Sequence, residues 1–180
     1  MKIILIAGKA QNGKSTFANI LKDKFEQQNK SVLIIHLADL LKYLCEKYFE
    51  WDGKKDEKGR SILQKIGTDT IREIDPDYWV DFIINFLSMF RDKWDYVLIA
   101  DCRFKNELNN WDEDWDVTSV HINRLNFKSP LTLDQQNHQS EVDLDDFYFD
   151  YVLESQSGLD ELQIEVDKFI EWMEGLGDQE

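Results

Sequence analysis

Cysteine is scarce in this chain, and its scarcity excludes a disulfide framework. Only two of the 180 residues, Cys45 and Cys102, are cysteines, and they stand far apart without a C-x-x-C spacing. Small secreted domains that depend on disulfide bonds are rich in cysteine, whereas this usage is typical of a reducing compartment. We therefore expect the protein in the cytoplasm.

Long apolar segments are missing as well. No apolar segment approaches the roughly 20 residues that a membrane-spanning helix needs. The short run KIILIA leads directly into a glycine-containing loop and shows no small-residue cleavage site, so we do not expect a signal peptide. These absences predict that a membrane is not a partner.

Positive charge is also in short supply. The sequence has 21 Lys and Arg against 36 Asp and Glu, which gives a formal net charge of −15. Binding to nucleic-acid backbones needs clustered Lys and Arg, so we do not expect nucleic acid as a partner. The negative surface also disfavours anions at long range. A phosphate site would therefore depend on a few local cations and on Mg²⁺.

The most informative feature that is present is residues 8–15, GKAQNGKS, which match G-x-x-x-x-G-K-[ST] at every fixed position. An apolar run precedes them and a helical pattern follows, which is the context of a phosphate-binding loop. Gly8 and Gly13 allow backbone N–H groups to curve around a polyphosphate, toward which the next helix points its positive end. Lys14 is expected to reach the β- and γ-phosphates, and the Ser15 hydroxyl to bind Mg²⁺.

Apolar runs separated by helical patterns predict an α/β fold of the P-loop NTPase type. It has three layers, a parallel five-stranded sheet with helices on both faces. The length and the apolar content of 42% suit one such domain, residues 1–180. The predicted strands are Lys2–Ala7, Val32–Leu37, Tyr96–Ala100, Val117–Asn123 and Tyr151–Glu154. Helices are predicted after the glycine loop, from Asp39 as N-cap, over Ile62–Ile74, Tyr78–Phe90, Phe104–Trp111 and Leu159–Met173.

In such a sheet, ligands bind at the carboxyl ends of the strands. Chemically useful residues follow four of the predicted strand ends: Gly8, Asp39, Asp101 and Arg124. Their convergence predicts a single site.

Asp101 and Arg103 follow the third predicted strand. Asp101 stands where a Walker-B carboxylate would bind Mg²⁺ together with Ser15, although it is also placed to cap the next helix. Arg103 is expected to direct a bidentate cation into the same cleft, or else to form an ion pair with Asp101 or Glu107.

The stretch Arg124–Glu141 lacks periodicity and is long for a structureless segment, so we predict a lid loop over the site. Arg124 at its start is expected to stabilise charge on a transferring phosphoryl group, and Lys128 is a weaker candidate of the same kind. The acidic stretch that follows, 143–150, is expected to be a solvated loop.

Periodicity leaves two further residues open. Arg72 alone would be a solvated residue on a helix face. Trp79 suits either a core or a wall on which a base stacks, and the sequence pattern does not separate these roles.

Seven blocks of the sequence occur together and in order: GKAQNGKST, ADLLK, LQKIGTDTIREIDPDYWV, IADCRFKNEL, INR, HQSE and FDYVLES. With them the chain resembles the phage-type deoxynucleoside monophosphate kinases, a branch of the P-loop nucleotide kinases. The resemblance spans nearly the whole chain, and its long middle blocks are the most specific. The sequence departs from the family pattern at Cys102 and Lys105, where an apolar β-branched residue and a proline are common.

The resemblance implies transfer of the γ-phosphoryl group of ATP, with Mg²⁺, to the 5′-phosphate of a (deoxy)nucleoside monophosphate. Small nucleotides would be the partners of a monomer or homodimer, located in the host cytoplasm if the chain is phage-encoded. Such transfer needs positioning and charge neutralisation and no protein nucleophile. The residues expected to act on the transferring group are Lys14, Arg103 and Arg124.

The resemblance also assigns the two binding sites. The ATP phosphates would be held by Gly8, Lys9, Ala10, Gln11, Asn12, Gly13, Lys14, Ser15 and Thr16. The acceptor site would be lined by Asp39, Lys42, Arg72, Trp79 and Arg103, with Ser140 and Glu141 near the base or sugar. Within the single domain this gives an acceptor-binding helical region of about 39–92 and a lid of about 124–141.

Two alternatives remain open at this point. One is a P-loop kinase for another phosphorylated acceptor, of the phosphomevalonate or dephospho-coenzyme A type. The other is a non-catalytic, nucleotide-dependent switch, although the chain has no Asn-Lys-x-Asp guanine signature.

Overall fold

Five parallel strands form the centre of the molecule in a computed structural model that describes residues 1–54, 56–156 and 158–177. The strand order is β2-β3-β1-β4-β5, and every neighbouring pair is parallel. The strands are β1 Lys2–Ala7, β2 Val32–Ile35, β3 Tyr96–Cys102, β4 Asp116–Arg124 and β5 Tyr151–Ser155. The predicted α/β fold is therefore confirmed, with small differences at the strand ends.

Helices connect the strands and cover both faces of the sheet. They are α1 Lys14–Gln27, α2 Ala38–Tyr48, α3 Glu57–Ile66, α4 Tyr78–Ser88, α5 Lys105–Asn109, α6 Leu133–Gln136, α7 Gln139–Val142 and α8 Leu159–Gly177. A π-helical turn, Gly67–Arg72, continues directly from α3. In the described part of the chain, no helix is long and apolar enough to cross a membrane.

Strand β1 shows how the three layers arise from the sequence. Its alternate residues point to opposite faces of the sheet. Ile4 and Ile6 belong to a core cluster that also contains residues of α1 and α8, such as Phe17 and Phe169. Ile3 and Leu5 belong to a second cluster with residues of α2 and α4. Because both faces are covered, the strand is apolar throughout.

Strand β2 ends earlier than predicted, and α2 begins before its predicted cap. The last residue of β2 is Ile35, and Leu37 is the N-cap of α2. Asp39 lies in the first turn, where its carboxylate accepts a hydrogen bond from His36 N at 3.2 Å. The prediction of Asp39 as N-cap is thus wrong by two residues, because the cap of this helix is supplied from another strand, as described below.

The predicted lid is not structureless, so that prediction is wrong for its second half. It contains the one-turn helices α6 and α7. The Thr132 side chain accepts a hydrogen bond from Gln135 N, and His138 Nδ1 accepts one from Ser140 N at 3.2 Å. These local caps satisfy N–H groups that a helix start otherwise leaves unpaired.

Candidate active site

The glycine loop connects β1 to α1 and has the backbone that its sequence predicts. Gly8 has φ +142°, and a Cβ at this position would lie 2.5 Å from the carbonyl oxygen of Ile122. Gly13, directly before α1, has φ +96°. Both positions therefore require glycine, one for close packing on β4 and the other for a left-handed turn.

Lys14 is buried at the centre of this loop, with 8% of its surface exposed. Its ammonium donates hydrogen bonds to the carbonyl oxygens of Gly8 at 2.5 Å and Lys9 at 2.9 Å. Burial lowers the pKa of Lys14 to about 7, and the nearby charge of Arg103 acts in the same direction. An incoming phosphate would favour the ammonium form and raise this pKa again.

Two cavities adjoin at the carboxyl edge of the sheet. The larger, about 490 Å³, is lined by loop residues 11 and 13–16, by Lys42, and by Asp101 and Arg103 at the end of β3. The smaller, about 150 Å³, has a mainly apolar wall of Leu37, Leu41, Leu63, Trp79 and Phe104. Ala38, Leu63, Gln64, Asp101, Arg103 and Ser140 line both. A ligand with a charged end and an apolar end would fit this arrangement.

Asp101 and Ser15 both line the larger cavity, and their binding of Mg²⁺ stays a prediction. The two carboxylate oxygens of Asp101 accept hydrogen bonds from Leu37 N at 2.7 Å and Ala38 N at 3.1 Å. Asp101 therefore caps α2, and not the helix that follows it in sequence.

The oxygen donors at this point fit a hard cation. Each Asp101 oxygen keeps a lone pair, and Ser15 adds a hydroxyl. In the described part of the chain, no group of three or more His, Cys, Asp or Glu side chains would hold a metal on its own. Mg²⁺ would therefore need phosphate oxygens and water as its other ligands, which is its common mode of binding with nucleotides.

Arg72 is not the solvated residue that periodicity alone suggests. Its side chain is 11% exposed and forms an ion pair with Glu107. It also donates to the Pro76 carbonyl at 3.0 Å, and its guanidinium lies 4.0 Å from the ring centre of Phe104. Arg72 thus lines the smaller cavity in a fixed orientation.

Glu107 is not among the predicted site residues, although it lies within the block IADCRFKNEL. It is 3% exposed and accepts hydrogen bonds from Arg103 N at 2.6 Å and Phe104 N at 3.0 Å besides its pair with Arg72. Burial raises the pKa of Glu107 to about 7, against the opposing effects of Arg72 and the N–H donors. The sequence signal that could have identified Glu107 is its place three residues after Phe104, where a glutamate can cap the start of a helix.

Arg103 and Glu141 form a second ion pair, and neither alternative partner predicted for the Arg103 side chain is used. The Arg103 guanidinium also donates to the Ser140 carbonyl at 3.3 Å. Glu141 accepts a hydrogen bond from Ala10 N, in the glycine loop, at 2.9 Å. Glu141 lines the larger cavity and Ser140 lines both, so the structure brings the end of the predicted lid to the loop.

Trp79 lies in the core and also lines the smaller cavity, and its role as a wall for a base stays a prediction. It is 3% exposed within the core, its Nε1 donates to the Gly67 carbonyl at 3.1 Å, and it lines the smaller cavity. Lys42 forms an ion pair with Asp39 at 2.8 Å, and of the two only Lys42 lines the larger cavity.

Arg124 is placed differently from the other predicted cations. It ends β4, and its guanidinium lies 4.6 Å from the ring centre of Phe127. Within the described residues it lines neither of the two cavities. Its role as a lid cation stays a prediction.

The acidic stretch 143–150 consists of turns and irregular chain with several exposed side chains, and its carboxylates have partners within the protein. The Asp143 carboxylate accepts from Lys105 N at 2.8 Å, and Asp145 pairs with Lys9 Nζ at 2.9 Å. Asp150 accepts from the N and Oγ of Ser119, each at 2.7 Å. The negative charges of this stretch hold it against the sheet edge and the glycine loop.

Comparison with known proteins identifies families whose sequence models match this chain. The family described as deoxynucleotide monophosphate kinase matches residues 51–166, which is more than half of the chain, and the family described as chromatin associated protein KTI12 matches residues 1–80. No curated protein matches the chain significantly.

Several solved structures share the fold at low sequence identity. The APS kinase CysC of Mycobacterium tuberculosis, in complex with AMPPNP and APS, is 13% identical with a TM-score of 0.54, over 94% of this chain and 97% of that one. The shikimate kinase of Aquifex aeolicus is 16% identical with a TM-score of 0.54, over 99% of both chains. The dephospho-CoA kinase of Campylobacter jejuni is 16% identical with a TM-score of 0.53, over 96% and 98%.

Proposed function

Because the chain belongs to the deoxynucleotide monophosphate kinase family and is an ATP-dependent phosphotransferase, we propose that its acceptor is the 5′-phosphate of a deoxynucleoside monophosphate. The observation that carries this proposal is the pair of adjoining cavities with Arg103 at their junction. One cavity is built from the phosphate loop. The other combines the apolar wall at Trp79 with the oriented guanidinium of Arg72.

The two ends of a nucleotide match this second cavity. Arg72 and Arg103 provide planar guanidinium groups, which bind phosphate oxygens well. Trp79 and the leucines offer an apolar surface for an aromatic base. Gln64 and Thr68 add polar groups to the lining, suited to the polar edge of a base.

The reaction that follows is a direct phosphoryl transfer. An oxygen of the acceptor phosphate attacks the γ-phosphorus of ATP, and the bond from that phosphorus to the β,γ-bridging oxygen breaks. The products are ADP and a deoxynucleoside diphosphate. The attacking phosphate oxygen is already anionic, so no general base is needed. Lys14, the loop N–H groups and Arg103 would offset the negative charge that gathers between the two nucleotides.

Mg²⁺ bound with ATP would supply further charge neutralisation, with Ser15 and Asp101 as its protein ligands. Arg124 stays a predicted lid cation. A cytoplasmic location, a monomeric or homodimeric state and the absence of nucleic acid among the partners also stay predictions.

The test is a coupled assay of ADP formation with a panel of acceptors. We expect turnover with at least one deoxynucleoside monophosphate, and little with dephospho-coenzyme A or phosphomevalonate. Lys14→Ala should abolish turnover while the circular dichroism spectrum is retained, since the ammonium contacts the loop and not the apolar core. Inertness toward every nucleoside monophosphate would refute the proposed acceptor class.

A further inference from the structure

The end of the predicted lid and the residues directly after it are anchored at several points. We define the brace segment as residues 139–146. Glu141 binds Ala10 N, Asp143 binds Lys105 N at 2.8 Å, and Asp145 pairs with Lys9 Nζ at 2.9 Å. These contacts tie the segment to the glycine loop on one side and to α5 on the other. Lifting it as a lid would break all of them together.

The Glu141 carboxylate connects two parts of the site. One oxygen accepts from Ala10 N at 2.9 Å and the other pairs with the Arg103 guanidinium. The neighbouring carbonyl of Ser140 accepts from the same guanidinium at 3.3 Å. Both contacts run from one guanidinium nitrogen, Nη1, and tie Arg103 to two adjacent residues of the segment.

The charges around Glu141 explain why a carboxylate stands so close to a phosphate site. Lys14 and Arg103 are two cations that line one cavity. Without a nucleotide they would repel each other there, and the Glu141 carboxylate relieves this repulsion. Its side chain is only 9% exposed, so little solvent screens the interaction.

We propose that Glu141 is a positioning residue for phosphoryl transfer, acting through Arg103 and Ala10 rather than by contact with the base or sugar. This inference rests on the proposed function of the site. It assigns the Ala10 N–H to the brace segment, leaving the later N–H groups of the loop for ATP. It also separates Glu141 from the base: Glu141 lines the larger cavity, whereas Trp79 lines the smaller one.

A double-mutant cycle in kcat tests the proposal. Glu141→Gln keeps the size of the side chain and an acceptor oxygen but removes the ion pair. We expect it to lower kcat by about 10- to 100-fold, since small displacements of a catalytic group cost that much. In an Arg103→Ala background the same change should cost less than about twofold, because its partner is absent. The preference among bases should not change in either background.

Asp145→Asn is the matched control. It removes one carboxylate from the same segment, where the ion pair with Lys9 is half exposed, and should change kcat less than about twofold. Equal losses from Glu141→Gln in both backgrounds, or an altered base preference, would overturn the proposal. If Glu141→Gln does not fold, Glu141→Asp keeps the charge with a shorter reach and should show the same loss.

A readout without an acceptor separates this proposal from the proposed function. Amide hydrogen exchange of residues 8–12 in the substrate-free protein should accelerate in Glu141→Ala, which removes the acceptor of the Ala10 N–H group, and not in Asp145→Asn. Unchanged exchange in Glu141→Ala would overturn the bracing role. A wild-type protein that is inert toward every nucleotide would refute only the acceptor class.

Discussion

Two arginine–carboxylate pairs serve the same site in different surroundings. The side chains of Arg72 and Glu107 are 11% and 3% exposed, and those of Arg103 and Glu141 are 26% and 9% exposed. The first pair joins the helical region to the start of α5. The second joins the end of β3 to α7 and the glycine loop.

This difference in burial indicates that the two pairs contribute to different properties of the protein. A buried ion pair is favourable only when further hydrogen bonds satisfy its atoms, and Glu107 receives two from backbone N–H groups. Removing one partner there leaves an uncompensated charge in the interior. The outer pair, Arg103 and Glu141, has more access to solvent, and Glu141 contacts the phosphate loop. We therefore expect the inner pair, Arg72 and Glu107, to control stability and the outer pair to control turnover.

The largest expected effect is on stability. Glu107→Ala should lower the free energy of unfolding by about 3–5 kcal/mol, because Arg72 would remain buried without its carboxylate. Glu141→Ala should cost less than about 2 kcal/mol, because solvent reaches Arg103. Urea denaturation followed by tryptophan fluorescence measures both values. Equal losses would show that the two pairs do not differ in the way their burial suggests.

The next effect separates the two arginines by kinetics. Arg103→Ala should lower kcat by about 100- to 1000-fold, as removal of a group that stabilises transition-state charge does. Arg72→Ala should instead raise the KM of the acceptor, with a smaller change in kcat. Steady-state rates at saturating ATP and varied acceptor distinguish the two patterns. An unchanged KM in Arg72→Ala would remove Arg72 from the acceptor site.

Arg103 of the outer pair also lowers the pKa of Lys14, which gives a prediction about the pH dependence of ATP binding. With a pKa of about 7, Lys14 in the free protein is mostly neutral at pH 8. Bound phosphates favour the ammonium, so ATP binding at pH 8 should take up nearly one proton, and at pH 6 this contribution should vanish. Arg103→Ala should reduce the uptake at pH 8, because the positive charge that lowers the pKa of Lys14 is removed.

Isothermal titration in two buffers of different ionisation enthalpy measures the proton uptake. Lys14→Arg is the control, because a guanidinium remains charged throughout this range and should give none. Absence of uptake in the wild type at pH 8 would mean that Lys14 is already charged in the free protein.

The smallest expected effect is on an exposed ion pair, which serves as a reference for the inner and outer pairs. Asp145 and Lys9 form an ion pair in which both side chains are 52% exposed. Asp145→Asn should therefore change the free energy of unfolding by less than about 1 kcal/mol. The same urea measurement tests it. A loss as large as that of Glu107→Ala would mean that exposure does not explain the contrast between the inner and outer pairs.

Local patterns predict the sheet and the loop because both depend on neighbouring residues. Burial on both faces of the sheet requires the apolar runs of the strands, and Gly8 and Gly13 have backbone conformations that favour glycine. The inner pair joins residues 35 positions apart, and Asp101 caps a helix 64 positions earlier. No local periodicity contains such pairings. Arg72 therefore looks solvated, and Glu107 is overlooked, until the chain is folded.

The π-helical turn Gly67–Arg72 carries one more residue per turn than the α-helix before it. Loss of one residue from α3, where the winding is regular, would rotate the residues that follow, Arg72 included, by roughly 100° about the axis. The guanidinium would then leave both Phe104 and Glu107. Loss of one residue from the wide turn itself would instead be absorbed by a return to regular winding, so deletions in α3 are more damaging to the site than a deletion in the turn.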